Sequence, residues 1–140
     1  MNTHLYFAYG MNTNPEQMSI RCPGAVSLGS AYLHGYRFVF RTHADVELAD
    51  YSYVNGVLWQ VSDDHLDSLD MLEGFPSYYL RQRVWVTDEN DDRVVAWVYT
   101  MADQDYLREP GAGYLQMCTE GYIAHGVPTN QLTDALNSVF

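Results

Sequence analysis

The sequence predicts an α+β fold: a largely antiparallel, strongly curved sheet or small barrel with helices packed on it. Three observations carry this. Aromatic and β-branched residues crowd the segments 5–9, 25–41, 57–61 and 83–100, as strands require. Capping and breaking residues frame shorter stretches at Asn14–Pro15 and Ser62–Gly74, as helices require. Hydrophobic residues make up 47% of the 140 positions, with no internal repeat, linker or low-complexity tract. A chain of this size buries about 68–70% of its unfolded surface, so one domain over residues 1–140 can hold a core without disulfides or metals.

In chain order, Leu5-Tyr6-Phe7-Ala8-Tyr9 reads as a short buried strand that ends at Gly10. Asn14-Pro15-Glu16 then supplies an N-cap, a proline at the first helical position and an acid in the first turn. The helix is brief, because Pro23-Gly24 closes it. Ala25 to Arg41, broken at His34-Gly35, reads as two strands or one bent strand. Asn55-Gly56 signals a turn, and Val57 to Val61 follows as a strand. Ser62 caps a helix through about Leu72, with Asp63 and Asp64 in its first turn and Gly74 as its stop, reinforced by Pro76. Arg83–Asp88 and Arg93–Thr100 form paired strands across the polar turn 89–92. Tyr114–Ala124 is helical, Val127-Pro128-Thr129 breaks the chain, and Asn130–Val139 forms a last helix.

Charge and cysteine usage exclude several functions. The net charge is −11, from 18 acidic and 7 basic residues, so no basic face is expected for nucleic acid. No apolar run reaches the roughly 18 residues of a membrane span. The opening MNTHLYFAYG has no basic segment ahead of its apolar stretch, which argues against a secretory signal. Cys22 and Cys118 stand far apart with no CxxC or Cys/His ligand spacing, so no zinc site is expected. A reduced, cytoplasmic setting is the expectation, with pairing of the two thiols left open. The five histidines, at 4, 34, 43, 65 and 125, lack HExxH spacing, and a cysteine nucleophile has no partner histidine in view.

Two segments carry chemistry. In the helix from Asp63 to Leu72 the apolar stripe is Leu66, Leu69 and Leu72. Steps of three and four residues put Glu73 on the same face as these leucines. Burying a carboxylate is costly, so desolvation and the negative helix end both raise its pKa. A group so placed both takes and gives a proton near neutral pH. The same pattern also fits a last-turn glutamate that faces water. The second segment is Tyr9-Gly10-Met11-Asn12, between a strand and a helix. Gly10 permits a tight turn whose backbone N–H groups can hold an anion. Such a turn equally joins strand to helix and binds nothing.

Together these segments resemble the gamma-glutamylcyclotransferase family. Tyr6-Phe7-Ala8-Tyr9-Gly10-Met11-Asn12 resembles its opening strand and YGSN-like loop, and Leu66 through Glu73-Gly74 resembles its LDxxEG segment. Tyr114, ahead of Gly126-Val127-Pro128, is similar to a tyrosine that closes over the substrate. Asn55 to Trp59 and Ala96 to Tyr99 look like family strands, so the resemblance runs through nearly the whole chain in order. Met11 stands where the family usually has serine, which keeps a backbone donor and removes a hydroxyl.

The resemblance implies an enzyme that releases 5-oxoproline and an amine from a gamma-glutamyl amide, as in glutathione-related metabolism. Glu73 would be its general acid and base, without cofactor or metal. Tyr9, Gly10, Met11, Asn12 and Tyr114 would bind the substrate, with Tyr79 as an addition to the pocket wall. The partner is then a small gamma-glutamyl compound, and a homodimer is a family habit. Two other readings share the fold: a non-catalytic small-molecule binder, which Met11 favours, and an amide hydrolase that uses water.

Overall fold

Hydrogen-bonded strands dominate the molecule, and their order explains where the cavity lies. The structure is a computed structural model that describes residues 2–139. The strands are β1 (Thr3–Ala8), β2 (Val26–Arg41), β3 (His43–Ser62), β4 (Tyr79–Asp88) and β5 (Arg93–Met101). They close into a barrel in the order β1-β3-β2-β4-β5. All neighbours are antiparallel except β1 and β5, which meet in parallel at Tyr6 and Trp97. Four helices attach to the barrel: α1 (Pro15–Arg21), α2 (Asp63–Glu73), α3 (Ala112–His125) and α4 (Asn130–Val139). A single 3₁₀ turn, Met11–Thr13, links β1 to α1. None of the helices is long and apolar enough to cross a membrane, among the described residues.

The core fills the barrel with Phe7, Leu33, Phe40, Val46, Val54, Val57, Val61 and Val98, none more than 1% exposed. These lie on β1, β2, β3 and β5, and Val86 of β4, 1% exposed, joins them, so the barrel interior is packed. Burial of each such side chain contributes about 1.5–3 kcal/mol relative to exposure.

Local sequence rules account for the helices. The Asn14 side chain accepts from the N–H groups of Glu16 and Gln17, and Pro15 occupies the first helical position of α1. Ser62 caps α2 through the His65 N–H, and the His65 ring returns the bond to the Ser62 N–H, completing a capping box. Gly74 ends α2 in the left-handed conformation, φ 68°.

Of the two readings open for residues 25–41, the structure shows the single bent strand, running from Val26 with register shifts between Ser27 and Ser30 and between His34 and Tyr36. Two expectations need correction. Asn55-Gly56 is no turn: both lie inside the 20-residue β3, whose stretch from His43 to Val54 carried no strand signal strong enough to read. Gly56 is there because a Cβ would stand 2.4 Å from the Ala8 carbonyl oxygen and 2.7 Å from the Phe7 ring. The Gln131 side chain of α4 brackets Asn55, accepting from its N–H at 2.7 Å and donating to its carbonyl at 2.9 Å. Finally, Leu72 is 53% exposed, so the buried residues of α2 are Leu66 and Leu69, and Glu73 continues their face partly buried.

At one end of the barrel five pieces of chain converge. They are the end of β1, the β2–β3 hairpin at residues 41–45, the start of β4, the end of β5 and the last turn of α2. Buried Arg41 and Asp45 brace this end with an ion pair at 2.8 Å. Asp45 also accepts from the Met101 N–H at 2.9 Å and from Gln104 Nε2 at 2.9 Å.

Candidate active site

The convergent end encloses a cavity of about 170 Å³. Tyr9, Gly10, Met11, Asn12, Glu73, Tyr79 and Tyr114 all line it, although they come from the loop and 3₁₀ turn after β1, from α2, from β4 and from α3. The structure therefore brings together every residue singled out from the sequence.

Glu73 reaches the cavity because it ends the buried face of α2, and the Gly74 cap turns the chain away immediately after it. Asn12 Nδ2 donates to Glu73 Oε1 at 3.2 Å and to the Tyr6 hydroxyl at 3.0 Å. Burial raises the Glu73 carboxyl from 4.5 to about 7, while the Arg21 guanidinium and the Asn12 amide hold it lower than burial alone would. The carboxyl thus changes charge near neutrality, and the apolar and aromatic walls are the reason.

Asn12 is 4% exposed and held on three sides. Its main-chain oxygen accepts from Trp59 Nε1 at 2.9 Å, and its Oδ1 accepts from Arg21 Nη1 at 2.8 Å. Its Nδ2 serves Tyr6 and Glu73, so the residue has no idle side-chain atom. Arg21 also sets Nη2 3.1 Å from Met11 Sδ.

The loop between β1 and α1 forms the rim beside Glu73. A 3₁₀ turn leaves its first N–H groups without an internal acceptor. Among the described residues, the N–H groups of Gly10, Met11 and Asn12 donate to no protein atom. Gly10 fits only as glycine, since a Cβ would meet both Ala44 Cβ and the Tyr114 hydroxyl at 2.9 Å.

Tyrosines make the walls, and the barrel backbone orients them. The Tyr9 hydroxyl donates to the Tyr99 carbonyl at 2.6 Å and Tyr79 donates to the Ala44 carbonyl at 2.6 Å. Tyr114 accepts from the Ala44 N–H at 2.9 Å. Burial pushes the phenols of Tyr9, Tyr79 and Tyr114 well above their ordinary range, so they stay neutral. His43 stands at the mouth, its ring 5.0 Å from that of Tyr114 and its Nδ1 2.9 Å from the Tyr78 hydroxyl. Partial burial lowers the His43 pKa.

Sequence reasoning missed Arg21, Tyr6, Trp59, His43 and Tyr78. Arg21 falls in the last turn of a short helix, where a basic residue reads as a dipole partner. Tyr6 and Trp59 lie on strand stretches buried on both faces, so alternation gives no sign that Tyr6 meets the cavity or that Trp59 holds the Asn12 carbonyl. The two cysteines are buried and unpaired. Burial moves Cys22 up to about 11 and Cys118 up to about 12. Among the described residues, no three His, Cys, Asp or Glu side chains cluster as metal ligands would.

A model of the family described as gamma-glutamyl cyclotransferase, AIG2-like, matches residues 6–116. Gamma-glutamylcyclotransferase of Bos taurus is 28% identical over 148 residues, covering 96% of this chain and 78% of the bovine protein. Protein AIG2 B of Arabidopsis thaliana is 32% identical over 109 residues, covering 74% of this chain and 63% of the plant protein. A solved structure of a gamma-glutamyl cyclotransferase superposes with a TM-score of 0.87 at 24% identity, covering 99% of this chain and 89% of the other. The crystal structure of an uncharacterised Homo sapiens protein does so with a TM-score of 0.86 at 25% identity, covering 100% and 89%. The matched segment contains strands β2 to β5 and the second half of β1, the 3₁₀ turn, Glu73 and Tyr114, and the chain belongs to the gamma-glutamyl cyclotransferase, AIG2-like family.

Proposed function

We propose that the protein cleaves gamma-glutamyl amides by intramolecular cyclisation, releasing 5-oxoproline and an amine. The observation that carries this reading is the Glu73 carboxyl, raised to about 7 in a 170 Å³ cavity that Gly10, Met11 and Asn12 also line. The names of the family and of its bovine relative support the reaction class.

The α-amine of a gamma-glutamyl compound attacks its own γ-carbonyl carbon. A new N–C bond closes the five-membered ring, and the bond from that carbon to the amide nitrogen breaks. The reaction needs the substrate bent, and an enclosed pocket supplies that conformer. An ammonium group cannot attack, and the ring nitrogen keeps one of its three protons, so two must leave. Glu73 in its ionised form takes the first, which frees the amine to attack, and hands it to the departing nitrogen as the C–N bond breaks. The second passes from the ring nitrogen to solvent or to the released amine, which leaves as ammonium, and Glu73 ends ionised as it began. A group titrating near 7 suits both halves, because neither transfer is far uphill.

The N–H groups of the 3₁₀ turn would receive either the substrate α-carboxylate or the oxygen that gains charge as the ring closes. Tyr9, Tyr79 and Tyr114, being neutral, would shape the pocket and exclude water. Keeping water out separates cyclisation from hydrolysis.

Product analysis tests the reading. The protein would be incubated with gamma-glutamyl dipeptides and gamma-glutamyl alkylamines, and the products identified by mass spectrometry. Production of 5-oxoproline with the matching amine is expected. Glutamate in place of 5-oxoproline identifies a hydrolase, and tight binding without turnover identifies a binding protein.

A further inference from the structure

Asn12 could present either end of its amide to Glu73, and the two choices have opposite chemical consequences. With Nδ2 toward the carboxyl, the amide donates and favours the carboxylate. With Oδ1 toward it, the amide accepts and favours the protonated acid. The structure shows the first arrangement, with Nδ2 3.2 Å from Oε1. What holds it there is at the other end of the amide: Arg21 Nη1 stands 2.8 Å from Oδ1. A guanidinium has five donors and no acceptor, so it tolerates only the oxygen on its side. The Tyr6 hydroxyl accepts from Nδ2 at 3.0 Å but can also donate, and so does not choose between the two.

We propose that Arg21 is a positioning residue that acts through Asn12: it locks the amide so that a donor, and never an acceptor, faces Glu73. Its position explains the economy of the arrangement. Arg21 ends α1, whose cap, Asn14, immediately follows the 3₁₀ turn that carries Asn12. The short helix thus folds back on the turn before it, and one side chain fixes both the Asn12 amide and the Met11 thioether. The resulting chain runs guanidinium, amide, carboxyl, with charge at both ends and a polarised neutral link between them.

The other groups around Glu73 do not substitute for this lock. Tyr6 from β1, Tyr9 just after it, Tyr78 and Tyr79 at the start of β4, Tyr99 from β5 and Tyr114 from α3 all have pKa values above their ordinary range and remain neutral. His43 at the mouth is held below its ordinary range and bonds to Tyr78. Arg21 is therefore the one permanent cation in the cavity wall, among the described residues.

The test reads Glu73 directly, so that it does not depend on the cyclotransferase reading. Carbon-13 NMR of labelled glutamate would follow the Glu73 carboxyl in wild type, Arg21→Met and Arg21→Lys. Wild type is expected to titrate at about 7. In Arg21→Met the midpoint should rise by on the order of one unit, since both an opposite charge and the locked donor are lost. Arg21→Lys keeps a cation and a donor and should stay within a few tenths of wild type. If a gamma-glutamyl amide is turned over, the acid limb of kcat should move up with the midpoint. The methionine variant should then be about fivefold slow at pH 7 and recover by pH 9. Should Arg21→Met fail to fold, Arg21→Leu, which likewise removes both the charge and the donor, should still raise the midpoint. An unmoved midpoint in the neutral variants, with any loss confined to KM, overturns the proposal and makes Arg21 a substrate contact. Absence of turnover in every protein would end the cyclotransferase reading, while the titration would still decide the role of Arg21.

Discussion

Asn12 Nδ2 lies 3.2 Å from Glu73 Oε1, although the two residues are 61 positions apart. The contact joins the turn after the first strand to the last turn of α2, so the carboxyl and the row of N–H groups form one unit. Neither half is remarkable alone, since most strand-to-helix turns bind nothing. Their meeting in a tyrosine-walled cavity makes a site.

Asn12→Asp tests the pairing. The replacement keeps the shape but sets a second carboxylate beside the first, and like charges at this distance cannot both ionise easily. Arg21 should keep the new aspartate charged, so Glu73 should hold its proton to a higher pH. The expected outcome is two apparent titration steps where wild type has one, and a loss of more than about tenfold in kcat at pH 7. NMR titration of the carboxyls checks this, and a Glu73 midpoint at or below the wild-type value would count against it.

Gly10→Ala tests the rim. The new methyl must displace Ala44 or Tyr114, each 2.9 Å away. A loss of about 1–3 kcal/mol is expected from the crowding. Tyr114→Phe removes one of the two obstacles, so the double variant should be more stable than the sum of the single changes. Urea denaturation of the four proteins gives the coupling energy, and strict additivity would show that Tyr114 does not press on Gly10.

Much of this fold was legible in local chemistry. The caps at Asn14 and Ser62 and the stop at Gly74 lie where the sequence puts them, because each satisfies backbone groups within three or four residues. The alternation along Arg83–Asp88 and Arg93–Thr100 emerged as the β4–β5 pair, its register running from Tyr79 with Met101 to Thr87 with Arg93. What failed was non-local. Asn55-Gly56 carries the strongest turn signal in the chain, yet it lies mid-strand because Phe7 and Ala8 press against Gly56 and Gln131 pairs with Asn55. Glu73 was visible through helical spacing. Arg21 was not, because its partner Asn12 belongs to a different element and no periodicity links them.

Gly56→Ala separates the two accounts of that position. In a turn the change would be mild or neutral. In the barrel it drives a methyl into the Ala8 carbonyl oxygen, which as backbone cannot swing aside. The variant should lose about 3 kcal/mol or fail to fold. Thermal denaturation reads the difference, and a Tm within a degree or two of wild type would contradict the packing described.

Glu73 should make the fold less stable as pH rises. Its folded pKa is about 7 against an ordinary value of 4.5, so the folded state holds a proton that the unfolded chain has released. Its favourable contribution is complete below pH 4.5 and is lost as pH climbs to 7. The shift corresponds to at most about 3 kcal/mol. Glu73→Gln has no such dependence. The variant should match wild type near pH 4.5 and exceed its stability by about 2–3 kcal/mol at pH 8, as measured by urea denaturation at both pH values. Equal stability at pH 8 would show that the carboxyl is well solvated.

The most direct test of the account is the rate of 5-oxoproline formation by wild type and by Glu73→Gln on the best gamma-glutamyl amide of the panel. Glutamine preserves the volume and an acceptor for the Asn12 amide but exchanges no proton. Loss of general acid–base help costs about 10²–10⁴-fold. The account predicts a kcat lower by that factor with KM changed far less, since the substrate still binds. A Glu73→Gln protein that forms 5-oxoproline as fast as wild type would contradict it.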